Sequence, residues 1–91
     1  MDEREQEIRG EEARGVLANE IYQEAWTAVR ETLVRRMESE PLTPEQQAEA
    51  YQMLKALKKV RVYIEQVMVT GRFAADEIQR KRTLSERIFR R

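Results

Sequence analysis

Apolar side chains recur at three- and four-residue steps from about Ala13 to Met37: Leu17, Ala18, Ile21, Tyr22, Ala25, Trp26, Ala28, Val29, Leu33 and Met37. This spacing predicts an α-helix over about 13–38. At 100° per residue the set fills an arc of roughly 200°, with Glu20, Gln23, Glu24, Arg30, Glu31 and Glu38 on the remainder. One edge of the arc is bulky (Tyr22, Trp26, Val29, Leu33). The other is small (Ala18, Ile21, Ala25, Ala28, Thr32), so two contact surfaces are expected. Pro41 ends the first helix, because the residue before a proline is pushed out of the α region. Thr43 suits an N-cap, Pro44 the first helical position and Gln46 the third, where it closes a capping box.

The second helix is expected over about 44–70, with Gly71 as the left-handed residue that terminates it. Ala50, Met53, Leu57, Val60, Ile64 and Val67 follow a 3-4-3-4-3 rhythm, a heptad seam of coiled-coil type. Tyr51, Val62 and Val69 form a second, thinner apolar line. The loop between the helices is short, which makes them antiparallel neighbours. The fold class read from the pattern is therefore all-α. It is a long antiparallel two-helix hairpin (about 13–38 and 44–70) with a short basic C-terminal helix or tail (71–91), assembling as an oligomer. Residues 1–12 have one apolar side chain after Met1, Ile8, and read as an acidic flexible arm. A self-contained bundle, in which the third helix folds back over the exposed stripe, is the alternative.

The chain has 91 residues, no Cys and no His. This removes disulfides, thiolate nucleophiles, imidazole bases and the ordinary zinc, Fe–S and haem ligands, and no metal or cofactor is expected. Glu20, Glu24 and Glu31 share a polar helix face, but without an apolar pocket they read as a solvated face with local pairs such as Glu31–Arg35. Gly10, Gly15 and Gly71 are isolated and form no phosphate loop. The expectation is not an enzyme. No apolar stretch approaches the roughly 20 residues of a membrane span, and Met1-Asp2-Glu3-Arg4 opens no signal peptide. A cytoplasmic protein with no membrane partner is expected.

Charge changes the picture of partners. Residues 1–50 carry 6 basic and 13 acidic side chains, residues 51–91 carry 11 basic and 4 acidic. Such polarity favours antiparallel pairing. The candidate oligomer interface comprises Tyr22, Trp26, Val29, Leu33, Tyr51, Val62 and Val69, although the helical spacing of Trp26 favours a core role over an interaction hot spot. Met37, Met53 and Met68 read as core filling. Arg80, Lys81, Arg82, Arg87, Arg90 and Arg91 are the candidate contact to duplex DNA or to an acidic partner protein. No aromatic interleaves the basic run and no helix-turn-helix precedes it, so DNA contact would be non-specific. The competing reading pairs this basic segment with the acidic arm.

The stretch Ala50-Tyr51-Gln52-Met53-Leu54-Lys55-Ala56-Leu57-Lys58-Lys59-Val60-Arg61-Val62-Tyr63-Ile64-Glu65-Gln66-Val67-Met68-Val69-Thr70-Gly71-Arg72-Phe73-Ala74 resembles a segment of short helical proteins of tailed phages, encoded around the head and DNA-packaging genes. The shared rhythm is apolar–Leu–Lys, Val-Arg, Ile/Leu-Glu and a closing Thr-Gly-Lys/Arg. The hairpin also resembles the oligomerisation core of small terminase subunits. The resemblance implies a homo-oligomer that works beside a larger phage packaging or head protein, in the host cytoplasm. Small terminases place a DNA-binding helix-turn-helix ahead of the hairpin, and here only the acidic arm stands there. The alternative to a packaging component is a protein-only adaptor, or a regulatory or inhibitory bundle that binds a partner protein and no DNA.

Overall fold

The computed structural model describes residues 1–39 and 41–89, with Phe89 described by its backbone alone. Three helices account for most of them: α1 (Glu3–Ala18), α2 (Glu20–Glu38) and α3 (Pro44–Phe89). There is no strand among the described residues. At about 1.5 Å per residue the 46-residue α3 is about 69 Å long, which sets the long dimension of a rod measuring 76 × 24 × 17 Å. The α1 and α2 helices follow one another along α3 and run opposite to it. The alignment is fixed at four heights. Glu3 meets Lys81, Gly10 meets Gly71, Trp26 meets Arg61, and Gln47 Nε2 donates to the carbonyl of Met37 at 2.8 Å.

The start of α3 follows from local chemistry. The Thr43 hydroxyl accepts from the Gln46 N–H at 3.1 Å, and the Gln46 side chain accepts from the Thr43 N–H at 3.0 Å, the reciprocal capping box its sequence predicts. Its end does not follow the expectation. Gly71 is not a terminator but a buried residue in mid-helix, and the 71–91 segment is the continuation of α3 rather than a separate helix. The reason lies on α1. A Cβ built on Gly71 would stand 2.5 Å from Gly10 Cα, so the glycine is spent on close helix approach.

That approach also corrects the reading of residues 1–12 as an arm. Asp2 caps α1 by accepting from the Glu5 N–H at 2.8 Å, and Glu3 and Glu5 favour the positive end of the helix. The long α3 then supplies a surface against which Gly10 and Ala13 are buried. The first predicted helix is likewise two. Asn19 is extended, with φ −67° and ψ 126°, and its side chain caps α2 by accepting from the Tyr22 N–H at 2.8 Å. Gln23 Nε2 crosses the break to the Leu17 carbonyl at 2.9 Å.

The break has a geometric purpose. On α1, Gly10, Ala13 and Leu17 turn inward; continuing their spacing through an unbroken helix would bring Glu20, Glu24 and Glu31 against α3. Interrupting the helix at Asn19 re-phases the chain so that Tyr22, Trp26, Leu33 and Met37 face inward instead. On α3 the inward positions are Ala50, Leu54, Leu57, Arg61, Ile64, Met68, Gly71, Ala75 and Ile78, a 4-3 repeat, with Ala74 also buried and Val67 of the expected seam half-buried. The expected seam shares Ala50, Leu57 and Ile64 with it, but Met53 and Val60 lie outside it, 52% and 56% exposed.

Candidate interaction surfaces

The predicted interface residues do not form one surface. Leu33 is buried, and Tyr22 and Trp26 are half-buried, all within the seam of α2 and α3. The Tyr22 hydroxyl and the Trp26 Nε1 are enclosed there without a hydrogen-bond partner among the described residues. The Trp26 ring lies under the Arg61 guanidinium, 4.6 Å from carbon to centroid, and Arg61 also reaches Glu65 at 3.2 Å. Arg61 thus occupies a seam position because an aromatic face receives its charge and its stem fills the space. Tyr51, Val62 and Val69 are exposed on the far side of α3, where Lys55 lies over the Tyr51 ring at 5.1 Å. Val62, Val69 and Phe73 line a shallow groove there. Val29 is exposed on α2.

The basic candidates are partly engaged within the chain. Lys81 Nζ donates to Glu3 at 2.7 Å, and Arg80 pairs with Glu77 one turn before it. The Glu3 carboxylate raises the Lys81 pKa above its ordinary value, with its Coulombic attraction and that of Glu77 adding to the hydrogen bond. Arg82 and Arg87 make no ion pair with the described residues, and Arg90 and Arg91 lie outside them. The acidic segment thus meets the basic one at Glu3–Lys81.

Three features escaped the sequence reading: Gly10 as the partner of Gly71, Arg61 as a seam residue, and the exposure of Tyr63 at 65%. A spacing signal existed for the first, since Gly10 and Ala13 on α1 and Gly71, Ala74 and Ala75 on α3 are small residues at helical intervals. Among the described residues no group of three or more acidic side chains is placed to hold a metal ion, and no helix is long and apolar enough to cross a membrane. Comparison with protein-family models, with curated proteins and with solved structures finds no match to this chain.

Proposed function

We propose that this chain is a non-catalytic structural subunit that assembles with copies of itself. Its exposure carries this reading. A compact protein of this mass exposes about 5,600 Å². This chain exposes 7528 Å², and the hydrophobic residues it buries among those described are Ala13, Leu33, Ala50 and Ala74. Its radius of gyration is 20.4 Å, against about 12 Å for a compact chain of the same length. Large hydrophobic side chains among those exposed, Ile21, Val60, Tyr63 and Phe73 at 56–71%, mark an interface. The setting is the one its resemblance implies, phage DNA packaging of the small-terminase type or head assembly.

Light scattering after size exclusion, at low and high salt, tests the assembly. A discrete mass of several chains that survives high salt is expected. A single-chain mass at every concentration overturns the reading.

The pairings of Lys81 with Glu3 and Arg80 with Glu77 favour a second reading, a protein-only adaptor, because they neutralise part of the basic segment. Duplex-DNA titration by fluorescence anisotropy separates the two. Affinity that falls steeply with salt supports packaging through Arg82, Arg87, Arg90 and Arg91. Absent or salt-independent binding supports the adaptor.

A further inference from the structure

We propose that the partner is a second copy seated on one broad face of the rod. The large side chains of α3 would rest over the small ones of the other copy's α2, closing a four-helix core. The inference rests on the self-assembly reading and names the surface that carries it.

The two broad faces of the rod differ in kind. The α1 and α2 helices both run opposite to α3, so residues displaced by about 90° in the same rotational sense from their inward directions fall on one side of the rod. On that side lie Val16 of α1 and the line Ile21, Ala25, Ala28, Thr32 of α2. The matching flank of α3 is identified by the groove that Val16 shares with Tyr63 and Val67. Met53, Ala56 and Val60 continue that flank at helical spacing. Ile21 at 69% and Tyr63 at 65% are among the most exposed large hydrophobic residues. The opposite broad face has Glu7, Glu11, Arg14 and Arg72 around the glycine crossing. The groove of the first face also takes in Arg9 and Glu12, and the opposite flank of α3 carries the exposed Val62, Val69 and Phe73. What sets the first face apart is that apolar lines of both α2 and α3 run along it.

Three arguments select a second copy as the occupant. The first is area. The rod measures 76 × 24 × 17 Å, so one broad face spans well over the roughly 800 Å² that a standard interface buries per partner. A face of this rod is large enough to supply a permanent one.

The second is shape. The Trp26–Arg61 contact sets the middle of α2 level with the middle of α3. A two-fold axis along the rod, between two stacked copies, brings Met53, Val60 and Tyr63 over Ala25, Ala28 and Thr32 without a shift in height. A two-fold axis across the rod would stack large on large and small on small, which interdigitates less well.

The third is charge. The Gln47–Met37 hydrogen bond holds the last turn of α2 level with the first turns of α3. The axis along the rod therefore places Glu49 of one copy near Arg36 of the other, and complementary charge fixes register.

The test uses the full chain. Val60→Glu and Ala28→Glu, each with helicity checked by circular dichroism, are expected to drop the assembly to single-chain mass. Val69→Glu, on the far side of α3, is expected to leave the mass unchanged. Mixing Ala25→Cys chains with Val60→Cys chains under mild oxidation is expected to give the mixed covalent dimer in excess over either homodisulfide. A wild-type chain that is monomeric throughout overturns the self-assembly reading itself. An assembly that survives Val60→Glu and is lost with Val69→Glu leaves that reading standing and overturns this face. Preferential Val60→Cys homodisulfide overturns the axis, and it decides the matter on near-native chains if the glutamate variants fail to fold.

Discussion

Gly10 and Gly71 face each other so closely that a methyl group on Gly10 would stand 2.6 Å from Gly71 Cα. A methyl on Gly71 would also meet the Gln6 carbonyl oxygen at 2.9 Å. Backbone lies on both sides of the contact, so no side chain can swing away to make room. Gly71→Ala is therefore expected to destabilise the docking of α1 by about 1–3 kcal/mol, an overpacking cost. This outweighs the roughly 1 kcal/mol by which alanine favours a helix interior over glycine. Gly15 is the internal control, since nothing lies within 4 Å of the position its Cβ would take. Gly15→Ala is expected to stabilise by up to about 1 kcal/mol. Urea denaturation of the two variants should give shifts of opposite sign, and shifts of the same sign would contradict the crossing.

Asn19 joins α1 to α2 by doing two things at once. Its extended backbone re-phases the chain, and its side chain satisfies the first turn of α2. Asn19→Ala keeps the backbone donors of α2 but removes the acceptor, and it also favours a continuous helix. A continuous helix would present Glu20, Glu24 and Glu31 to α3 in place of Trp26 and Leu33. The expected loss is about 1 kcal/mol, within the range of about 0.5–2 kcal/mol for a lost N-cap. Asn19→Gly, which tolerates the extended conformation, should cost a few tenths of a kcal/mol. Thermal melts of both variants followed by circular dichroism check the order.

The parts of this fold that were legible in the sequence are those determined within one turn of chain. The Thr43–Gln46 capping box is complete in four residues, and the helical character of 20–38 and 44–70 is carried by local periodicity. The parts that were not legible depend on a distant partner. A glycine that ends a helix and one that admits another helix look alike until Gly10 is placed beside Gly71. The seam of α3 was misread at Met53 and Val60 because Arg61, a charged residue, occupies the true position, and only the Trp26 ring explains why it can. The break at Asn19 had a sequence signal in the phase conflict between Gly10, Ala13, Leu17 and Tyr22, Trp26, Leu33. Pooling all apolar positions on one wheel spread that conflict into a wide arc. Tyr22, Trp26 and Leu33, expected to share an interface with the second apolar line Tyr51, Val62 and Val69, instead face the seam with α3, where only their inward phase separates them from that exposed line.

Trp26 is the single tryptophan of the chain, so the Arg61 contact has its own reporter. Arg61→Ala removes the cation from the ring face and the stem that shields the indole. Because Arg61 is half-exposed, the cation–π part is worth about 0.5–1 kcal/mol. The lost stem packing adds to that. A red shift of Trp26 emission together with a lower midpoint of urea unfolding is the expected result. Arg61→Met keeps most of the stem without the charge, and it should hold the emission closer to wild type while losing part of the stability. Unchanged emission in Arg61→Ala would place the indole elsewhere.

The ion pair of Lys81 with Glu3 ties the end of α1 to α3, and its pH dependence has a definite sign. The pKa of Lys81 is raised in the folded chain, with the Glu3 hydrogen bond as the main cause. A raised folded-state value means that the stabilising contribution is fully present below the ordinary lysine pKa of about 10.4. It is lost as pH climbs through the raised value. The difference in melting temperature between wild type and Lys81→Met should therefore be flat from neutral pH to about pH 9.5 and shrink above about pH 10.4. Both partners are partly exposed, so the difference should be small and should fall further as salt screens the pair. A difference that persists undiminished well above the lysine range, or that ignores ionic strength, would show that the Lys81 stem rather than its charge holds the end of α1.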